Sequence, residues 1–97
     1  MAIGSNFETY VRELEKKLEP KDRESLDRLR ARYTLASQLM ELRKERGLSQ
    51  QRLAALSGVN QSEISRIERG NANPSQATLE AIARVFGRTV GFLTPAA

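Results

Sequence analysis

Along this chain the apolar positions return every three or four residues, the period of a helix that buries one face. Phe7, Tyr10, Val11, Leu14 and Leu18 make the first stripe. A capping box of Ser5 and Glu8 opens it, and Pro20 closes it by biasing Glu19 away from helical angles. A second helix is expected to restart near Asp22, with Leu26, Leu29 and Tyr33 on one side. Leu35, Leu39 and Leu42 then lead to Gly47, read as a helix C-cap. No glycine or proline occurs between Asp22 and Arg46, so these two stripes fit one unbroken helix, or two pieces with a kink or new cap at Thr34.

The middle of the chain, residues 48–70, carries the densest pattern: LSQQRLAALSGVNQSEISRIERG. Ser49 suits an N-cap. Leu53, Ala54 and Leu56 follow on one side of a short helix, and Gly58 ends it in a left-handed conformation that disfavours a Cβ. Val59 pins the turn, and Asn60 with Glu63 predicts a capping box for a second helix. There Ile64 and Ile67 share the inward face, which leaves Gln61, Ser62, Ser65, Arg66 and Arg69 on the opposite side. Amide, hydroxyl and guanidinium groups on one helix face are the donors and acceptors that read base edges in a DNA major groove. An ordinary solvated face would also accommodate any one of them alone.

Beyond this, residues 70–74 form a loop of turn formers. Ser75 caps a last long helix whose Leu79, Ile82, Ala83 and Phe86 point inward, with Gly87 as its stop. In the tail, Val90 and Phe92 alternate as in a short strand. Exposed apolar residues at such an end are candidates for a dimer contact.

Charge adds modestly to this picture. The 97 residues carry a net charge of +4, compatible with a polyanionic partner. Residues 1–33 hold eight basic and seven acidic groups, and residues 34–97 hold eight and five, so the excess sits with the central pattern. Cysteine and histidine are both missing. That excludes a disulfide framework, thiolate chemistry and the usual general base near neutral pH. With no glycine-rich phosphate loop either, no catalytic constellation, cofactor or metal site is expected. No apolar run is long enough to span a bilayer and the start lacks a signal-peptide core, so a cytoplasmic protein without membrane association is expected.

Gln50, Leu53, Ala54, Gly58, Val59, Gln61, Ser62, Ile64, Ser65, Ile67, Glu68 and Gly70, in that spacing, resemble the helix-turn-helix of the Cro and phage-repressor family, also called the xenobiotic-response-element family. The likeness extends to residues 39–47 and 73–87, about half of the chain. It implies an all-α, lambda-repressor-like helix-turn-helix bundle at residues 34–97, with residues 1–33 as an N-terminal helical extension. It also implies a sequence-specific regulator of double-stranded DNA, a homodimer on an inverted-repeat operator. Gln61, Ser62, Ser65 and Arg66 are the expected base contacts. Gln50, at the start of the first motif helix, is an expected phosphate contact that also steadies Gln61. Arg69, Asn71 and Asn73 are further candidates for the phosphate backbone, and for the two asparagines a plain polar loop fits as well. Arg43 and Glu68 match a structural ion pair of the family, whose members often have a short fifth helix where this tail stands.

The segment RYTLASQLMELRKERGLSQ (32–50), the helix pair before it and the ending TVGFLTP are similar to antitoxins of the host-inhibition-of-growth (HigA) type. That likeness implies repression of the protein's own operon and binding of a RelE-like toxin. A stand-alone repressor without a toxin remains the alternative. The stripe from Phe7 to Leu18 fits packing on its own domain, a dimer, or a partner's groove, and residues 1–33 are expected to be dispensable for operator binding.

Overall fold

The computed structural model describes residues 9–10, 12–13, 16–17 and 19–93. The capping box of Ser5 and Glu8, and Phe7, Val11, Leu14 and Leu18 of the first stripe, lie outside them. Residues 9, 10, 12 and 13 have helical backbone, and Tyr10 is exposed. Among the described residues four helices follow, α1 (Pro20–Glu45), α2 (Gln50–Ser57), α3 (Gln61–Glu68) and α4 (Gln76–Val85), with no strand.

Helix α1 begins two residues earlier than Asp22, because proline is well placed at a first helical position. Its ring pre-sets φ, and the amide hydrogen it lacks would have no partner there. Glu19 before it is extended, with φ −68° and ψ 156°. The helix then runs through Thr34 without interruption for 26 residues, about 39 Å at 1.5 Å per residue. This nearly equals the molecule's longest extent of 43 Å. The expected boundary between residues 33 and 34 therefore falls inside one continuous helix. Leu26, Ala36 and Leu39 of α1 are buried. Leu29, expected on the same side as Leu26, is exposed instead.

The core is one cluster of Leu39, Leu53, Ile64, Ile67, Ile82 and Phe86, with Leu35, Leu42, Leu48 and Val59 packed around it. Helices α1 and α2 both pack on α3, and α2 also packs on α4. Each of these four helices thus contributes to one small apolar interior, the arrangement that lets them hold together without a sheet. Leu56 departs from expectation. It shares a helix with the fully buried Leu53 but is 48% exposed, so the inward stripe of α2 is narrower than its apolar composition suggests.

Local chemistry sets the helix ends. Ser49 accepts a hydrogen bond from the Arg52 amide at 3.0 Å, and Ser75 accepts one from the Thr78 amide at 3.1 Å. Gly58 closes α2 at φ 77°, a region costly for any residue with a Cβ, and the tight turn to α3 depends on it. Asn60 stands at the N-cap of α3 as expected, but its side chain makes no cap bond. The first turn is closed by backbone alone, with the Glu63 and Ile64 amides each donating to the Asn60 carbonyl at 3.1 Å. The predicted capping box is therefore not formed.

At the far end, Arg46 lies over the Phe86 ring, 5.7 Å from its centroid. Its guanidinium donates to the Val85 and Phe86 carbonyls at 3.4 and 3.3 Å. A cation on the negative end of α4 is favourable, and it ties α4 to the end of α1. The tail at residues 88–93 is neither helix nor strand. Phe92 and Leu93 are fully or largely exposed there, and Val90 is 43% exposed.

Candidate nucleic-acid interface

Helix α3 is only eight residues long, so it has little stability of its own and takes its position from what it packs on. Ile64 and Ile67 are 0% and 2% exposed. They anchor one side of α3 against α1 and α2. Gln61, Ser62, Arg66 and Arg69 are consequently turned to solvent, with Ser65 and Glu63 half-buried at the margins.

A polar clamp completes the anchoring. The Arg43 Nε donates to Glu68 Oε2 at 2.7 Å, and its Nη2 donates to Oε1 at 2.9 Å. The third guanidinium nitrogen donates to the Leu48 carbonyl at 2.8 Å. Such a two-pronged, charge-assisted contact fixes orientation as well as distance. The hydrogen bond to Glu68 makes Arg43 still more basic than an ordinary arginine. The two side chains are 15% and 5% exposed, so this pair is a tie between α1 and α3, as the resemblance implies.

Gln50 belongs to the same network. Its Nε2 donates to Glu68 Oε1 at 3.2 Å, so the amide steadies the end of α3. It does not bond Gln61, and that expectation is corrected. The reason is geometric: Arg43 draws the Glu68 carboxylate toward the start of α2, where Gln50 is the first residue. Gln50 nonetheless stands at the positive end of the α2 dipole.

Arg69 folds back one turn, its Nη1 donating to the Ser65 hydroxyl. Ser65 keeps its own hydroxyl proton for donation. The Asn71 amide donates to the Arg66 carbonyl at 2.9 Å, which closes α3, and the Asn71 and Asn73 side chains are both exposed. The candidates thus fall into three places: the outward face of α3, the start of α2, and the loop that follows α3. Arg46 was not singled out from sequence. No local signal marks it, because its partners lie about 40 residues away on α4.

Two short helices joined at a left-handed glycine, the second clamped inward and polar outward, define a helix-turn-helix. The HTH_3 helix-turn-helix family matches residues 39–93, more than half of the chain, and the protein belongs to this family of sequence-specific DNA-binding regulators. It is similar to an uncharacterized HTH-type transcriptional regulator of Haemophilus influenzae, 34% identical over 91 residues, covering 94% of this chain and 87% of that protein. An immunity repressor protein of Bacillus phage phi105 is 41% identical over 54 residues, or 56% of this chain and 38% of that protein. The crystal structure of an HTH_3 family transcriptional regulator from Vibrio cholerae superposes with a TM-score of 0.61 at 39% identity. It covers 64% of this chain and 35% of that one, so for the phage and Vibrio proteins the likeness spans well under half of their length. The fold is the all-α, lambda-repressor-like one expected. Among the described residues no helix is long and apolar enough to cross a membrane.

Proposed function

We propose that the protein is a repressor that binds an inverted-repeat operator as a homodimer, with α3 in the major groove. The observation that carries this is the division of α3 into a fully buried isoleucine face and an exposed face of Gln61, Ser62 and Arg66. A glutamine amide can pair with adenine N6 and N7 together, and an arginine fork with guanine O6 and N7. Ser62 and Ser65 are lesser base contacts, small enough to let the helix approach. Gln50, Arg69, Asn71 and Asn73 hold the phosphates on either side and carry no sequence information.

One α3 reads too few base pairs to be selective, which favours a dimer with two such helices about one DNA turn, roughly 34 Å, apart. Supporting a self-association surface, a groove of about 610 Å³ runs between α1, α4 and the tail. Leu35, Leu42, Leu79 and Val90 line it, next to the exposed Phe92. In the fuller reading the repressor is a HigA-type antitoxin that controls its own operon and binds a RelE-like toxin. Support for that part comes from the resemblance at residues 32–50 and from the apolar stripe that the sequence of the N-terminal extension carries. A stand-alone repressor is the alternative.

The test begins with selection of bound sequences from a random duplex pool, followed by sedimentation of the free protein and its complex. An inverted repeat bound by two chains is expected, and a monomer on DNA at saturation would contradict the reading. Co-expression with the product of the neighbouring reading frame decides the antitoxin part. A stable complex that suppresses messenger-RNA cleavage supports it, and independent behaviour of the two proteins leaves a stand-alone repressor.

A further inference from the structure

Helix α1 reaches beyond the bundle and passes beside the loop that leaves α3. The Tyr33 ring packs on Gly70 there: a Cβ built on that glycine would lie 3.6 Å from the ring. Gly70 is buried and has φ 73°, so a sharp turn and a close neighbour fix the loop against α1 together. Just past this contact, a cleft of about 210 Å³ opens between the two elements. Arg28 and Arg32 line one wall, and Ala72, Asn73 and Pro74 the other.

The two arginines are four residues apart and share one face of α1. Among the described residues no carboxylate lines the cleft. Arg32 is exposed. Among the described residues Arg28 is held by Glu24 and Ser25, both at 3.4 Å, and the ion pair is open to solvent, with its side chains 61% and 74% exposed. A pair of that kind is weak and readily exchanged for a better anion. Two arginines and an asparagine lining one cleft suit a doubly charged oxyanion, since each guanidinium offers a planar fork of donors.

We infer that Arg28, Arg32 and Asn73 form a phosphate-binding cleft that carries α1 onto the DNA backbone beside the groove occupied by α3. The inference rests on the DNA-binding reading above. When a helix lies in the major groove, the sugar-phosphate strands wall the groove on both sides, and the segment leaving the helix end meets one wall. Residues 70–74 are that segment, and Arg28 and Arg32 stand across the cleft from it. Part of the extension expected to be dispensable for operator binding thereby becomes part of the DNA-binding surface.

The full-length chain is titrated with a mixed-sequence duplex at several salt concentrations, because contact with phosphates is independent of sequence and shows in the salt slope. Arg28→Gln and Arg32→Gln should each reduce that slope by about 1, and the double variant by about 2. Between about 50 and 200 mM salt, wild type should then lose roughly tenfold more affinity than the double variant. Arg32→Lys should retain most of the slope. Arg23→Gln is the control for net charge, since Arg23 lies on another side of α1, about 140° from Arg28. An unchanged slope in the double variant, or an equal loss in Arg23→Gln, would overturn the cleft while leaving the DNA-binding reading intact. Failure of wild type to bind any duplex would instead overturn the reading on which it rests. Thermal melts of all variants should coincide, because these side chains are at the surface; a double variant that melts early and loses affinity in step would assign the arginines to folding and sink the inference.

Discussion

The buried and exposed sides of α3 differ in how fully their polar groups are used. On the inward side both Glu68 oxygens are bonded, to Arg43 and to Gln50, and the isoleucines beside them are sealed from water. On the outward side the Gln61, Ser62 and Arg66 side chains bond no other described residue, although each can donate or accept. One side spends its chemistry on holding the helix in place. The other keeps it available for a partner, and substitutions on the two sides should fail in different ways.

The largest effect belongs to the inward side. Glu68→Ala removes the acceptor of two Arg43 hydrogen bonds and leaves a mostly buried guanidinium without its counter-charge. A loss of about 3–5 kcal/mol is expected for that class of change where burial is complete, and denaturant unfolding measures it. DNA binding should fall in parallel with the folded fraction. If Glu68→Ala unfolds like wild type yet loses DNA affinity, the division between the two sides is wrong.

A smaller effect is expected where the two functions meet, at the start of α2. Ser49→Ala removes the cap bond to the Arg52 amide and should cost about 1 kcal/mol of stability. Since α2 supports α3, operator affinity should change only through the folded population. Binding measured well below the melting transition should match wild type, and a specific loss there would move Ser49 into the DNA-contacting set.

What could be read from the sequence was local. Ser49 and Ser75 as caps, Gly47 and Gly58 as left-handed stops, and Ile64 with Ile67 as the inward face all depend on neighbours within a turn or two, so spacing alone reveals them. The features that escaped depend on distant chain. Gln50 bonds Glu68 because Arg43, 25 residues before that glutamate, draws the carboxylate there. Arg46 closes α4 across the bundle for a similar reason. Continuity of α1 through Thr34 is left open by helix propensity, which permits a break without requiring one, and burial of Leu26 before Thr34 and of Ala36 and Leu39 after it supports a single helix. Asn60 shows the opposite error, a local signal for a cap that the backbone of the turn does not use. Among the candidate contacts, the outward position of Gln61, Ser62 and Arg66 followed from helix rotation, while the cleft of Arg28, Arg32 and Asn73 needed the tertiary contact of Tyr33 with Gly70.

The central claim is that the outward face of α3 reads sequence. Gln61→Ala tests it most directly, because Gln61 is exposed and outside the Arg43–Glu68 clamp, so its removal should leave folding unchanged. Binding isotherms of wild type and Gln61→Ala would be measured on the selected operator and on a scrambled duplex of equal length. A loss of about 1–3 kcal/mol on the operator is expected, with little change on the scrambled duplex, whose affinity comes mainly from phosphates. An equal loss on both duplexes would mean that α3 does not read sequence through this residue.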